Sequence, residues 1–258
     1  MKKLSVIALA VAACMLFAIP AMAVDVDFSG YYRVRGFFQD TQSLNDNERT
    51  SNAKFDQRFR IQPVFKITDR LTLNTKFEGL DRSNWGESEG DIAGTTKNFD
   101  LERAWFDAEF DMFTLKFGRM VAGTCGLLYC NADSDADRIK VIVKGIDPFY
   151  LDFTYTKYDE EDWNTAASDG DEDGYAVMGA YKTENMEGGL LLEYVVDNTN
   201  DNAGADPYSS AYTIIDPFFK GVFGMVTVEA EMQMATGDYA DYDGATPDVD
   251  YDAMRYVL

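Results

Sequence analysis

The residues whose spacing best suits shared chemistry are basic. Arg33 and Arg35 stand two apart, as do Arg58 and Arg60, and Arg138 and Lys140. Arg103, Lys116 and Arg119 fall between these pairs. A separation of two puts both side chains on one face of a β-strand. Brought together from successive strands, these residues would line one wall of a water-filled space as a cationic ladder that orders water and guides anionic solutes or carboxylates. The same residues would equally pair with acids on the polar faces, such as Asp56, Glu78, Asp107 and Glu109. Both roles stand, because wall charges in wide pores serve both.

Two further constellations carry chemistry. Cys125 and Cys130 flank Gly126-Leu127-Leu128-Tyr129, with Asp133, Asp135 and Asp137 following. In an oxidising compartment two such cysteines usually pair, and a bridge would stiffen a loop hairpin; the other reading leaves both as unpaired thiols. Asp169, Asp171 and Asp173, with Gly174, match the opening positions of a calcium loop, although Ala180 stands where the closing glutamate belongs and no helices flank the run. Calcium is thus the one cofactor the sequence suggests. The plainer reading of this tract is an acidic loop, continuous with Asp159-Glu160-Glu161-Asp162, that binds divalent ions weakly.

Composition excludes several functions. The chain contains no histidine. That removes Ser-His and Asp-His catalysis and the usual ligands of zinc, copper and haem, so an enzyme is not expected. No glycine-rich phosphate loop is visible, and a net charge of −22 argues against nucleic acid as a partner.

These residues need elements to position them. Lys2 and Lys3, the apolar run Leu4 to Ile19, and Ala21-Met22-Ala23 read as a secretory signal peptide over 1–23. Val11-Ala12-Ala13-Cys14 resembles a lipobox, but apolar residues continue past it to the better site at Ala23. Cleavage there removes two lysines and takes the net charge from −22 to −24. Residues 24–258 then alternate with period two. Phe28, Gly30, Tyr32, Val34, Gly36 and Phe38 oppose Ser29, Tyr31, Arg33, Arg35 and Gln39. Phe59, Ile61, Pro63, Phe65 and Ile67 oppose Asp56, Arg58, Arg60, Gln62 and Lys66. About twelve such segments are predicted, near 26–38, 54–67, 71–80, 98–110, 113–119, 138–144, 149–158, 174–183, 189–197, 211–219, 225–235 and 251–258. Most have about the 9–11 residues that cross a bilayer as a tilted strand. Their connections alternate short and long, with Thr68-Asp69-Arg70 and Asp111-Met112 among the short ones and 39–53, 81–97 and 120–137 among the long. The expected fold is therefore all-β, an antiparallel transmembrane β-barrel with apolar residues toward lipid and polar residues toward the lumen.

At this point the sequence resembles a known family. Val26-Asp27-Phe28-Ser29-Gly30-Tyr31-Tyr32 looks like the start of Gram-negative trimeric outer-membrane porins. Phe77-Glu78-Gly79-Leu80-Asp81-Arg82-Ser83-Asn84-Trp85-Gly86 is similar to the third strand and loop of porins from sulfate-reducing and related bacteria. Leu101-Glu102-Arg103-Ala104-Trp105-Phe106 and Phe113-Thr114-Leu115-Lys116-Phe117-Gly118-Arg119 resemble their fourth and fifth strands. The resemblance covers roughly 24–160 most firmly and implies a parent barrel of about 16 strands, a homotrimer, and a third loop folded into the lumen. Asp133, Asp135 and Asp137 would then belong to that constriction loop. One departure stands out: the chain ends at Tyr256-Val257-Leu258, without the terminal aromatic porins present for assembly. Residues 24–258 are accordingly expected to be the N-terminal portion of a larger barrel, although an even twelve also permits closure.

The expected function is passive diffusion of small hydrophilic solutes and ions across the outer membrane, in contact with its lipid and lipopolysaccharide. The alternative is a structural or adhesive barrel without an open channel. Charge is split along the chain. Residues 24–144 hold 17 basic and 20 acidic side chains, and residues 145–258 hold 4 and 25. The excess acid falls largely in long loops, so a cation-enriching mouth over a mixed-charge wall is expected, with weak cation preference overall.

Overall fold

A computed structural model describes residues 24–39, 52–84, 99–121, 126–129, 134–160, 170–200, 207–242, 244 and 246–258. The expected signal peptide, both cysteines 125 and 130, Asp133 and Asp169 lie outside these residues. The described chain is one antiparallel sheet of twelve strands in strict sequence order. The strands are β1 (Asp25–Gln39), β2 (Asn52–Thr68), β3 (Leu71–Asn84), β4 (Phe99–Glu109), β5 (Phe113–Val121), β6 (Asp135–Val143), β7 (Phe149–Asp159), β8 (Glu172–Lys182), β9 (Met186–Asp197), β10 (Tyr208–Phe223), β11 (Val226–Tyr242) and β12 (Val249–Val257). The all-β fold read from the alternation is the fold observed, strand for strand. Among the described residues, no helix is long and apolar enough to cross a membrane.

Period-two alternation turns this sheet inside out relative to a water-soluble one. Phe28, Phe38, Phe117, Ile139, Phe153, Leu192 and Met254 point outward and are exposed, whereas Asp56, Lys76, Arg138, Asp152, Asp216 and Glu231 point inward and are buried. The contrast is sharp: Phe38 is 69% exposed and Asp216 is 0%. Water would penalise such an outer surface, and lipid hydrocarbon suits it. Aromatic rings tie neighbouring strands across this face, with Phe77 on Phe99 at 5.4 Å and Phe106 on Phe117 at 5.2 Å between centroids.

At one end the strands join by tight turns, as at Asp69-Arg70 and Gly224-Met225. At the other they extend further than the alternation predicts. β6 begins at Asp135 rather than near 138, and β11 continues to Tyr242. Ladder hydrogen bonds carry strands past the point where side-chain alternation fades. Glycines with positive φ permit close strand approach at Gly30, Gly118 and Gly237. Gly118 has φ +121° and lies so near β4 that a Cβ would come within 2.5 Å of the Ala104 carbonyl oxygen. Gly237 repeats the arrangement, with φ +127° and Ala211 O at 2.5 Å. β1 and β12 form the two sheet edges and are not paired with each other among the described residues.

Candidate functional site

The sheet curls around an inner space of about 590 Å³. Its walls come from one face of each strand from β4 to β12. Trp105, Lys116, Arg138, Lys140, Tyr150, Asp152, Met178, Leu191, Glu193, Ile214, Gln233 and Arg255 all border it. Antiparallel register explains the selection. Lys116 lies opposite Asp107 and Lys140, Lys140 opposite Thr154, and Ala176 opposite Glu193, so each inward residue fixes the next strand's inward set. Followed toward the N-terminus, the same register puts Arg33, Arg35, Arg58, Arg60 and Arg103 on this inner face, with Arg33 opposite Arg58.

Inward cations meet inward acids. Arg35 pairs with Asp56 at 2.5 Å, Arg58 with Glu78 at 3.3 Å, and Lys76 with Glu102 at 2.7 Å. The Arg60 Nε also donates to Glu78, at 2.6 Å. Further round, Lys116 lies 3.3 Å from Asp107 and Lys140 lies 3.6 Å from Asp152. The inner wall is thus a belt of alternating charge, and the basic residues and the acids proposed as their partners occupy one surface together.

Arg119 does not belong to this belt. It lies three residues after Lys116, an odd step, and so faces the other way. Its cross-strand partner is Asp137, and the adjacent pair on that outer face is Phe117 with Ile139. Arg119 and Asp137 form an exposed pair at 3.5 Å, two residues from the strand end. A charge on the lipid side costs about 0–1 kcal/mol near the membrane rim, against about 2–4 at mid-depth, which makes this position tolerable. Asp135 and Asp137 also depart from their expected place: both stand on β6 rather than in the preceding loop, and Arg103 donates to Asp135 at 2.5 Å.

The acidic run after residue 169 is likewise built into the sheet, but on the outer face, in line with Phe153, Tyr155 and Tyr175. Asp171 is buried just before β8, Asp173 lies on it opposite Lys157, and the Lys157 ammonium pairs with Asp171 and, at 3.5 Å, with Asp173. Both carboxylates thus share one cation supplied by the chain. Among the described residues, no group of three or more acids, cysteines or histidines is placed to hold a metal ion.

Sequence reasoning missed the most connected residue of the lumen. Glu231 on β11 is buried, and its carboxylate accepts from the backbone N–H groups of Leu127 at 3.1 Å, Leu128 at 2.6 Å and Tyr129 at 3.1 Å. Those residues form the described tip of the third long loop. Three consecutive amides converging on one carboxylate make an anion nest. Arg255 holds the same tip by covering the Tyr129 ring, 4.3 Å from its centroid, and the Tyr129 hydroxyl donates to Tyr256 O at 3.0 Å. The loop tip therefore crosses to β11 and β12 on the inner side. Below it Met178, Ala180 and Phe218 form a small apolar cluster with Tyr150 and Leu191 packed on it.

A family model described as Gram-negative porin matches residues 8–256. No curated protein matches the chain. Among solved structures, Vibrio cholerae OmpT, an outer membrane protein in trimer form, is 17% identical at a TM-score of 0.36, covering 91% of this chain and 100% of that one. A triple mutant of the Rhodopseudomonas blastica porin is 12% identical at 0.39, with 90% and 100% covered. Pseudomonas putida OprB is 13% identical at 0.42, with 86% and 71% covered.

Proposed function

The chain belongs to the Gram-negative porin family and so to the outer membrane, and from that premise we propose that it forms a water-filled channel for passive diffusion of small hydrophilic solutes and ions. The observation that carries this reading is the single charged inner face around an open space of about 590 Å³. A structural barrel would have no need to hold charged side chains of both signs against a shared lumen, where each must remain hydrated or paired. The alternative, a plugged barrel serving adhesion or envelope integrity, draws support from the docked loop tip and the inward Met178–Phe218 cluster. The resemblance stated above further implies a homotrimer, and the lipid-facing aromatic surface suits contact with lipid and lipopolysaccharide. No catalytic role is assigned to any residue.

Purified protein added to a planar bilayer in KCl should give stepwise conductance. The reversal potential in a salt gradient should show weak cation preference that strengthens as salt is lowered, since the acidic mouth is then less screened. Lys140→Ala, which removes an inner-wall charge, should shift that potential further toward cations, and Arg119→Ala should leave it in place. Absence of any conductance step from folded protein would favour the plugged barrel.

A further inference from the structure

The inner cavity is cationic in a chain that is strongly acidic. Five basic side chains border it, Lys116, Arg138, Lys140, Lys182 and Arg255, against three acids, Asp152, Glu187 and Glu193. The acids are engaged. Asp152 accepts from Tyr150 at 2.8 Å and Thr154 at 3.0 Å, Glu193 accepts from Tyr158 at 2.6 Å, and Glu187 pairs with Lys182 at 3.0 Å.

The two arginines are held differently. Arg138 is buried and donates to the carbonyl oxygens of Met120 at 2.5 Å and Ser134 at 3.4 Å. Arg255 donates from Nε to Gln233 Oε1 at 3.0 Å and lies over the Tyr129 ring. Gln233 is fixed in turn, because its amide donates to Asp216 at 2.9 Å. The hydrogen bonds that orient each guanidinium thus go to neutral acceptors, while Glu193 and Asp135 act on Arg138, and Asp216 on Arg255, only through their charge. Glu231, two residues from Gln233 on the neighbouring strand, accepts from the loop-tip amides. Neutral acceptors orient a guanidinium without cancelling its charge, which leaves both available to an anion.

The rest of the lining is apolar and aromatic, with Trp105, Met120, Tyr129, Tyr150, Met178 and Leu191 bordering the same space. Inorganic anions have no use for such a surface; an aromatic ring does. Cavities of about 300–1,000 Å³ accommodate small organic ligands, so about 590 Å³ takes a one-ring molecule with attendant water.

We propose that this cavity is a binding subsite on the permeation path for small aromatic monocarboxylates, the carboxylate meeting Arg255 and Arg138 and the ring lying against the tyrosine and methionine wall. The proposal rests on the channel reading and deepens it by naming a solute class.

The test uses three probes on single channels in KCl: benzoate, acetate and benzylammonium. Benzoate should interrupt the current at about tenfold lower concentration than acetate, because burying a ring adds more than a tenfold factor in affinity. Benzylammonium, with the ring but the opposite charge, should be no better than acetate. Arg255→Gln and Arg138→Gln should each weaken benzoate block by about tenfold, as loss of a charged hydrogen bond does, with Arg255→Lys in between. Equal block by acetate, equal block by benzylammonium, or benzoate block unmoved by both arginine substitutions would overturn the subsite. Should the protein give no conductance at all, the channel reading fails on its own. Calorimetric titration of the same probes into detergent-solubilised protein then decides the subsite by the same ranking.

Discussion

Glu231→Ala should release the third-loop tip and raise single-channel conductance more than any other single change on the inner wall. Its buried carboxylate accepts from three consecutive amides of the tip. Charge-assisted hydrogen bonds contribute about 1.5–3 kcal/mol each, less when they share one acceptor. A net loss of about 3 kcal/mol would move the docked-to-undocked ratio roughly a hundredfold. Arg255 over Tyr129 and the Tyr129–Tyr256 contact remain, so the tip should alternate between docked and free rather than leave for good. The expected record shows a second, larger conductance level with frequent transitions. Glu231→Gln, which keeps one accepting oxygen, should lie between. Deuterium exchange offers an independent reading, with the amides of residues 127–129 losing protection in the alanine variant. A single conductance level equal to the parent's, with exchange unchanged, would show that the anchor does not control the lumen.

Gly118→Val should abolish the folded barrel. A Cβ at this position would sit 2.5 Å from the Ala104 carbonyl oxygen and 3.0 Å from the Trp105 Cα, both backbone atoms that cannot turn aside. The φ of +121° adds strain of about 1–3 kcal/mol for any residue with a side chain. Relief would require β4 and β5 to part, breaking ladder hydrogen bonds that hydrocarbon offers no substitute for. Gly145 provides the comparison. It also has a positive φ, +73°, but nothing lies within 4 Å of its would-be Cβ. Gly145→Val should therefore cost the strain alone and remain foldable. Urea titration of protein refolded in micelles separates the two. Comparable midpoints for both variants would mean that the β4–β5 approach at Gly118 is looser than drawn.

The sequence was most legible where its two strand faces differ most. On β1 to β6 aromatic and charged residues alternate cleanly, so both the strands and the inward basic residues could be read from spacing. The exception, Arg119, came from grouping by charge without counting parity. Legibility fell on β9 and β10, where Leu190-Leu191-Leu192 and Ile214-Ile215 are apolar on both faces. There period two carries no signal, and only the register shows that Leu191 and Ile214 look inward. Glu231 was hidden for another reason. Its partners lie 102 to 104 residues away in sequence, and the contact is to backbone, which leaves no mark in side-chain chemistry.

The order of the strands also bears on how the molecule comes together. Every extensive strand contact joins neighbours in sequence, so the sheet is a plain meander. Such a sheet can assemble hairpin by hairpin, each closing only a short loop. The loop tip is different, because its anchor residues Glu231, Arg255 and Tyr256 stand on the final two strands. Docking of that tip has to wait until β11 and β12 are in position, making it a late event relative to those strands rather than a nucleus. Pulse-labelled exchange during refolding should accordingly find the amides of 127–129 protected after those of β11 and β12, and a sheet captured just before that moment would hold its strands in place and still be wide at its waist.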